Sequence, residues 1–471
     1  MRFASLAVAP LAYGASLVLA KGVSLALMPW VAAHLPPTEY GRLELISSAL
    51  EFVGLVLSFG LADTLFRFAG MTPSREEQRR QAAAVAGLAL SLAAACGILL
   101  QLATPAILSI LPLPVEPLVL RLSLAAIAVG GLVELPLGWL RLRHRPLLFL
   151  AFVALRAGLQ LLLITGFIAI APRAESVLAG SALAELGLAT ALLVMQWRAT
   201  GVEISQESLS WLRGYSLPLL LGGMAAFALG SCDRWFLVDH VSIAELGQYG
   251  IAGKIGLATA FAVQPFGLWW YARRLRVLGE PDGLQRSADA VALGFAMLIA
   301  GAASIAIAGP AFVRLVLPPS YAPAATWIPW LVAACALNET ASLLNVGCYV
   351  RRTAWCVTAV NAVGAAAAIL GYWLLIPASG IEGAIAATLL AQGARVLGFL
   401  VVGHRFAPIP YRAMPMTTFV VVGATAVWLG TWTANPVAAA VISVILPLPF
   451  LALGRVLGML KRADLQRAFA S

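Results

Sequence analysis

The sequence predicts an all-α polytopic membrane protein with about fourteen transmembrane helices, arranged as two six-helix bundles in tandem followed by two further helices. Three observations support this fold class. Apolar residues make up 61% of the 471 positions and charged residues only 11%, whereas a soluble domain carries about 25% charged residues. Apolar segments of roughly 20 residues, enough for a helix to cross a bilayer, recur along the whole chain. A short polar break also occurs twice, once in each half.

Proline and glycine mark the breaks between the apolar segments, as in LPLPVEP at 111–117, LPPSYAP at 317–323 and IPASGIEG at 376–383. The breaks separate spans predicted at about 9–34, 43–69, 82–111, 118–140, 148–171, 176–197, 216–238, 248–271, 287–316, 325–350, 354–376, 380–403, 415–433 and 437–457. The first apolar segment is too long for the core of a cleavable signal peptide, so we expect a retained span.

Arginine and lysine are distributed unevenly between the two sets of alternate loops. With fourteen spans, 21 of these residues fall in one set together with both termini, and two, Arg42 and Arg173, fall in the other. In membrane proteins the cytoplasmic loops carry the excess of positive charge. We therefore expect cytoplasmic N- and C-termini, and we attribute the net charge of +10 to orientation in the membrane rather than to nucleic-acid binding.

The repeated break is AHLPPTEYGRLEL at 32–44 and DHVSIAELGQYGI at 239–251. The letters TEYG of the first string align with AELG of the second at an offset of 206 positions. An even number of spans per repeat gives two units of the same orientation, related by an axis along the membrane normal. Such repeats are typical of transporters, whose substrate site lies between the units. Chance similarity of two short strings is the alternative.

The repeat predicts a division of the chain into four segments. They are an N-terminal six-helix bundle at 1–197, a cytoplasmic connector at 198–215, a C-terminal six-helix bundle at 216–403, and two additional transmembrane helices with a cytoplasmic tail at 404–471. The expected motion is a rocking of one bundle against the other, which the connector would allow.

Charged side chains inside the predicted spans are candidate functional residues, because an ionised group at the centre of a bilayer costs at least about 2.5–3.5 kcal/mol. The candidate cations are Lys21, Arg156, Arg234, Lys254 and Arg395, and the candidate acids are Glu51, Glu185, Asp233 and Glu339. Each must face other helices or a water-filled cavity. A structural ion pair would explain any single one equally well, whereas a shared polar cavity explains the whole group.

The five cations predict an anionic substrate, because guanidinium and ammonium groups bind phosphate or pyrophosphate oxygens. The acids would pair with those cations or carry coupling protons. Asp233 and Arg234 are neighbours in the sequence, and neighbouring side chains of a helix point about 100° apart. We therefore expect each of them to find its partner elsewhere, with Lys254 and Glu51 as candidates.

Sequence motifs of enzymes and of metal sites are absent. The chain has no GxxxxGK[ST] phosphate loop, no HExxH and no CxxC pair, and its longest loops are shorter than about twenty residues. The five cysteines lie in or at the ends of apolar segments, without metal-ligand spacing to a histidine and without a disulfide framework. We predict no catalytic activity, no bound metal and no cofactor.

Two stretches of the chain carry a family resemblance. The first is LAKGVSLALMPWVAAHLPPTEYGRLELISSALEFVGLVLSFGLADTLFRF at 19–68, with its P-x-E-Y-G turn between two spans. The second is LPLLLGGMAAFALGSCDRWFLVDHVSIAELGQYGIAGKI at 217–255, with Asp-Arg near the outer end of the span and a related turn after it. In these stretches and in its layout the chain resembles the Wzx-type polysaccharide flippases of the multidrug/oligosaccharidyl-lipid/polysaccharide (MOP) exporter superfamily.

The resemblance implies a MATE/MOP-like V-shaped fold and a flippase that moves an undecaprenyl-diphosphate-linked oligosaccharide, such as an O-antigen or exopolysaccharide unit, across the bacterial inner membrane. Members of the family keep cations in the cavity for the diphosphate. By match to the motifs Asp233, Arg234 and Lys254 would take such positions, and Lys21 by its place in the first span. The other two cations rest on the charge argument alone. The implied partners are the lipid-linked substrate, membrane lipids and, as a candidate, a polysaccharide polymerase.

Two other functions stay open at this stage. One is a multidrug or metabolite antiporter of the same superfamily, coupled to cations; such exporters more often line their cavity with acids and aromatic residues than with cations. The other is a membrane glycosyltransferase or ligase of polysaccharide assembly. Enzymes of that kind usually have large non-cytoplasmic loops or an added domain, and this sequence has neither.

Overall fold

The computed structural model describes residues 2–58, 65–66, 74–203, 217–271, 273–350, 355–433 and 435–459. Across these ranges all regular structure is helical. In chain order the α-helices are α1 (Arg2–His34), α2 (Pro37–Ser58), α3 (Arg75–Ile110), α4 (Pro117–Ala128), α5 (Gly131–Leu142), α6 (Pro146–Ile170), α7 (Ala174–Thr200), α8 (Leu217–Gly230), α9 (Asp233–Leu237), α10 (Ile243–Leu257), α11 (Thr259–Tyr271), α12 (Arg274–Leu278), α13 (Gly283–Val316), α14 (Ala324–Leu344), α15 (Trp355–Phe406), α16 (Ala413–Thr431), α17 (Pro436–Ile445) and α18 (Pro447–Val456). Short 3-10 turns lie at Pro319–Tyr321 and Asn345–Tyr349.

The long helices have the length and apolar composition of membrane spans. In the described part of the chain, nine helices or closely joined helix pairs are long and apolar enough to cross a membrane. One of them, α15, is 52 residues long, but the backbone at Gly380 is not helical (φ 56°) and divides it inside the predicted break at 376–383. A positive φ is readily adopted by glycine alone. The prediction of an all-α polytopic membrane protein is confirmed.

The chain forms two compact units, Met1–Phe227 and Ala228–Ser471. The first unit contains α1 to α7 and most of α8, and the second contains the helices that follow. Most of the predicted connector, from 204 onward, lies outside the described residues. The segment boundaries drawn from the sequence therefore stay a prediction.

Helix ends recur in the second unit at the same offset of 206 positions that the sequence indicated. Helix α3 ends at Ile110 and α13 ends at Val316, while α7 ends at Thr200 and α15 ends at Phe406. The first residue of α7 corresponds in the same way to Gly380, where α15 is divided. Helix α3 and helix α7 thus have counterparts in register in the second unit, which is the pattern expected of an internal repeat.

The turns at one end of the first unit are joined by a charged network, which we call the first corner. It consists of Glu39, Arg42, Pro114, Ala174 and Glu175. Arg42 pairs with Glu39 at 2.9 Å and with Glu175 at 2.7 Å, and it donates to the Pro114 carbonyl at 2.7 Å. The second carboxylate oxygen of Glu39 accepts the backbone N–H of Ala174 at 2.9 Å. One arginine therefore ties α2 to the loop before α4 and to the first turn of α7.

The equivalent turns of the second unit form the second corner. It consists of Ser242, Glu245, Gln248 and Ser320. Gln248 donates from Nε2 to the carbonyl oxygen of Ser320 at 2.7 Å. This contact lies 206 positions after the contact of Arg42 with Pro114. The repeat therefore extends from the sequence to a tertiary hydrogen bond.

The acid of the second corner has a local partner. Glu245, the counterpart of Glu39, accepts the backbone N–H of Ser242 at 2.9 Å, and the Ser242 hydroxyl oxygen accepts the N–H of Glu245 at 3.2 Å. This reciprocal pair is a capping box, which satisfies two backbone donors at the start of α10.

The last three helices pack within the second unit. Phe419 of α16 and Phe450 of α18 are buried, with ring centroids 5.6 Å apart. They belong to the same apolar core as Phe295 and Leu298 of α13. The C-terminal helices that lie outside the repeat are therefore part of the core of the second unit.

A disulfide joins Cys348, in the second 3-10 turn, to Cys356, in the first turn of α15. The expectation of no disulfide framework missed this pair, because two cysteines eight positions apart carry no recognisable pattern. The 3-10 turn also packs tightly against the second arm of α15. A Cβ atom on Gly347 would lie 2.3 Å from the carbonyl oxygen of Gly403, so this approach requires glycine.

Candidate functional site

The first embedded cluster surrounds Arg156 of α6. Its guanidinium lies 3.1 Å from Glu185 of α7 and 3.9 Å from Glu134 of α5. Arg156 and Glu185 were both predicted as site residues, and the structure brings them together. With two carboxylates beside one guanidinium, the cluster carries excess negative charge whenever both acids are ionised.

Glu134 was missed by the sequence analysis. It lies in the span predicted at 118–140, so the search for charges inside spans could have found it. The side chain is more than half exposed, whereas that of Glu185 is mostly buried. The cluster is therefore open to its surroundings at the Glu134 side.

The second embedded cluster surrounds Arg395 in the second arm of α15. Its Nη1 donates to Asn338 Oδ1 at 2.8 Å and to Gln392 Oε1 at 2.5 Å, and its Nε donates to Asn361 Oδ1 at 3.1 Å. The residue is 8% exposed. Among the described residues no carboxylate lies within 4 Å of this guanidinium. Three neutral amides thus accept from its Nη1 and Nε without neutralising its charge.

Glu339 is connected to this second cluster through an amide. Asn338 donates from Nδ2 to Glu339 Oε1 at 3.2 Å, while its own Oδ1 accepts from Arg395. The two predicted charges, Glu339 and Arg395, are therefore linked in a chain and not in a direct pair. The amide partners were not among the site residues predicted from the sequence.

Asp233 and Arg234 form a third cluster, and the expectation that these two neighbours would not pair with each other is wrong. Asp233 Oδ1 accepts both the backbone N–H and the Nη1 of Arg234, each at 3.0 Å, so the two neighbours are paired with each other. Tyr249 of α10 donates its hydroxyl to Asp233 Oδ2. The aspartate is 4% exposed.

The reason for this pairing lies in the local helix geometry. Asp233 is the first residue of the five-residue helix α9, where the backbone N–H of Arg234 has no partner within the helix. The carboxylate can accept that N–H, and the long arginine side chain folds back to the same oxygen. Helical angles constrain the Cβ directions, but they do not limit the reach of a guanidinium.

The remaining predicted residues lie in different helices. Glu51 is exposed in α2, and Lys254 is half-buried in α10. Lys21 is part of α1, but its side chain lies outside the described residues. The assignment of all nine charges to one cavity stays a prediction.

The clusters combine guanidinium donors with carboxylate and amide acceptors. In the described ranges no group of three His, Cys, Asp or Glu side chains could hold a metal ion. What these groups can do is bind an anion through guanidinium N–H groups, or exchange a proton or cation at a carboxylate.

Comparison with known proteins gives no match by sequence and clear matches by structure. No family model matches the sequence, and no curated protein matches it significantly. The structure is similar to that of the lipid II flippase MurJ in an inward closed conformation, with a TM-score of 0.68 and 11% identity over 96% of this chain and 99% of that one. The chain has the fold of MOP exporters. An inward-facing MATE multidrug transporter of the MOP superfamily gives a TM-score of 0.61 and 16% identity over 83% of this chain and 94% of its own.

The exporter fold recurs in an outward-facing MATE transporter, with a TM-score of 0.53 and 16% identity over 86% of this chain and 96% of that one. The family resemblance drawn from the two sequence stretches is thus confirmed at the level of the fold. This chain is a multi-pass membrane protein, and the proteins whose fold it has are transporters and flippases.

Proposed function

We propose that this chain is a flippase that moves an undecaprenyl-diphosphate-linked oligosaccharide, an O-antigen or exopolysaccharide unit, across the bacterial inner membrane by alternating access. The observation that carries the proposal is the share of the chain that each similar structure covers. The lipid II flippase covers 96% of this chain, whereas the two MATE transporters cover 83% and 86%. Because the match to the flippase leaves so little of this chain uncovered, most of segment 404–471, which holds the last helices, lies within that match.

These additional helices favour a lipid-linked substrate over a small drug. Helices α16 and α18 bury Phe419 and Phe450 in the core of the second unit, and α17 packs Ala439 against Ile307, so all three are an integral part of it. A fold that matches a flippase of a lipid-linked precursor along nearly its whole length supports the same class of substrate here.

The embedded cations would contact the diphosphate of that substrate. The proposed set is Lys21, Arg156, Arg234, Lys254 and Arg395. Of the three arginines, Arg156 and Arg234 each lie beside a carboxylate, and Arg395 has amide oxygens instead. A phosphate oxygen can replace a neutral amide oxygen with a gain in electrostatic attraction. We therefore assign the strongest phosphate interaction among the arginines to Arg395.

The embedded acids would couple transport to a proton or cation, or hold the cations in place. The proposed set is Glu51, Glu185, Asp233 and Glu339. Glu185 suits coupling best, because it shares Arg156 with Glu134 and a bound proton or cation would relieve the repulsion between the two carboxylates. Asp233 suits a structural role, since its two oxygens accept from Arg234 and Tyr249.

The proposed cycle is a rocking of residues 1–197 against residues 216–403, with the connector accommodating the motion. The distribution of arginine and lysine supports cytoplasmic termini. In that orientation the substrate would enter from the cytoplasmic side, and a polysaccharide polymerase would use it on the other side.

The test is a deletion strain of the host, in which lipid-linked oligosaccharide on the inner leaflet and polysaccharide at the surface are measured. The strain is complemented with wild type, Arg395→Gln, Arg395→Lys and the control Arg80→Gln, at equal amounts in the membrane. Arg80 is an exposed residue at the start of α3, 4.0 Å from Glu77. We expect the deletion to accumulate the lipid-linked intermediate, and wild type and the control to release it.

Arg395→Gln should reduce release at least about tenfold, because it removes a charge-assisted hydrogen bond worth about 1.5–3 kcal/mol, and Arg395→Lys should retain part of the activity. Normal surface polysaccharide in the deletion strain would overturn the flippase proposal. Increased drug sensitivity in that strain would then favour the multidrug antiporter. Full release by Arg395→Gln would leave the function standing and remove Arg395 from the site.

A further inference from the structure

Two adjacent arginines, Arg273 and Arg274, lie at the junction of α11 and α12, outside the clusters already described. Arg274 stacks on the ring of Tyr349, with its Cζ 4.3 Å from the ring centroid, and on the ring of Tyr271 at 5.0 Å. Arg273 lies over the ring of Trp269 at 5.5 Å. Each guanidinium is thus held against aromatic faces, which orients it without neutralising its charge.

The acids of the same region are paired with other arginines. Glu280 contacts Arg286 and Arg276, and Asp289 contacts Arg412 at 2.6 Å. Arg273 and Arg274 have no carboxylate within 4 Å among the described residues. Within the described ranges, the side-chain acceptor of Arg274 is the neutral amide oxygen of Asn345, at 2.6 Å.

Unsatisfied donors lie beside these arginines. The indole N–H groups of Trp269 and Trp270 are buried and have no hydrogen-bond acceptor among the described residues. The two indole rings are stacked, with centroids 6.1 Å apart, and Arg273 covers the first of them. The indole N–H groups are buried, with Trp270 inside the apolar core, so the donors that a ligand could reach are those of Arg273 and Arg274, and an anion is the kind of ligand that would bind them.

The surroundings fit an amphipathic anion. Leu275 is 50% exposed and Tyr271 is 39% exposed, so apolar surface adjoins the two guanidiniums. The sequence places this segment in a cytoplasmic loop at the membrane boundary, where anionic lipids attract arginine and lysine. Aromatic residues with a polar edge are also typical of that boundary.

We propose that Arg273 and Arg274 form a binding site for the phosphate of an anionic membrane phospholipid, whose acyl chains would cover the exposed Leu275 and Tyr271. The guanidiniums would contact the phosphate oxygens as planar donors, in the bidentate manner that lysine cannot reproduce. The site lies on the second unit and does not depend on the flippase activity proposed above.

The test is native mass spectrometry and thermal unfolding of the purified full-length protein in detergent, with phosphatidylglycerol or phosphatidylcholine of the same acyl chains. The variant is the double substitution R273Q/R274Q. The matched control is R79Q/R80Q, which removes two adjacent charges from the exposed start of α3. A second variant, R273K/R274K, keeps both charges and loses the planar donors.

Wild type and R79Q/R80Q should retain phosphatidylglycerol at least about tenfold better than phosphatidylcholine, which corresponds to about 1.4 kcal/mol. R273Q/R274Q should lose this preference while its unfolding temperature without lipid stays within a few degrees of wild type, and R273K/R274K should lie between the two. Undiminished phosphatidylglycerol binding by R273Q/R274Q would overturn the proposal. If that variant unfolds early, loss of selectivity in R273K/R274K supports the site and full retention overturns it.

A further arm distinguishes the source of the phosphate. A polyprenyl diphosphate is added at equal concentration to protein already loaded with phosphatidylglycerol. Retention of the phospholipid supports the proposed site. Its complete displacement from wild type, together with loss of polyprenyl diphosphate binding in R273Q/R274Q, would assign these arginines to the transported substrate and overturn the phospholipid site.

Discussion

The first corner is charged and the second corner is mostly neutral, although they occupy equivalent positions of the repeat. Arg42 and Gln248 lie 206 positions apart, and each donates to the carbonyl oxygen of the equivalent loop residue at 2.7 Å. Arg42 also joins two carboxylates, whereas Gln248 has no described carboxylate partner. The hydrogen bond that shapes the turn is common to both units, and the ion pairs are specific to the first.

The embedded groups differ between the units in the same way. The position equivalent to Arg156 is Ala362, and the position equivalent to Arg395 is Ala189. The backbone-directed hydrogen bond of the corner therefore repeats, while these two embedded arginines do not. A scaffold that repeats while its polar groups diverge allows the two units to present different chemical groups.

The largest effect in this comparison is expected for Arg42→Ala. The substitution leaves Glu39 and Glu175 in a mostly buried site without their shared cation, and removing one partner of a buried pair costs roughly 3–5 kcal/mol. Thermal unfolding in detergent should shift strongly to lower temperature. An unfolding temperature equal to that of wild type would mean that the ion pairs of the first corner contribute nothing.

The next largest effect is expected for Gly364→Ala, with Gly158→Ala as its counterpart in the other unit, 206 positions earlier. A Cβ on Gly364 would lie 2.3 Å from Cγ of Arg395, whereas a Cβ on Gly158 would meet nothing within 4 Å. Overpacking costs about 1–3 kcal/mol. Gly364→Ala should therefore lower the unfolding temperature and, if Arg395 binds the substrate, flipping as well. Equal effects of the two substitutions would contradict this asymmetry.

Arg42→Gln tests the comparison directly, because it gives the first corner the residue of the second. The glutamine amide can keep the hydrogen bond to Pro114 but loses both ion pairs. We therefore expect the free energy of unfolding to fall by about 2 kcal/mol, less than for Arg42→Ala. Gln248→Ala should cost only about 1 kcal/mol, the contribution of one neutral hydrogen bond. Chemical unfolding of both variants in the same detergent measures the two values. If Gln248→Ala lost more stability than Arg42→Gln, the second corner and not the first would contribute more to the stability of the fold.

The smallest effect is expected for Ser242→Ala, which removes the capping box of the second corner and should cost about 1 kcal/mol. The hydroxyl of Ser242, and after it the backbone N–H of the same residue, hold the pKa of the exposed Glu245 below its usual 4.5. A depressed folded-state pKa means that the ionised carboxylate stabilises the fold above pH 4.5 and that this contribution is lost as the pH falls through the folded value.

The difference in stability between wild type and Ser242→Ala should therefore be constant near neutral pH and shrink below pH 4.5. Unfolding measured from pH 7 to pH 3 provides the check. A difference that grows on acidification would show that Glu245 does not act through the capping box.

The sequence by itself determined the class of fold, the approximate spans, the repeat and the charged residues within the spans. These features depend on the length of apolar runs, on proline and glycine between them, and on a fixed offset, all of which can be read from the order of residues. The first corner was also visible as the repeated break, although its ion pairs were not.

Only the tertiary structure decided which polar groups meet. Arg156 meets Glu185 from 29 positions away, and Arg395 meets Asn338 from 57 positions away. Such pairs depend on the rotation and register of whole helices, which are set by the packing of many side chains at once. The pairing of Asp233 with Arg234 depended on the start of a five-residue helix, which the hydrophobic pattern of a single long span did not reveal.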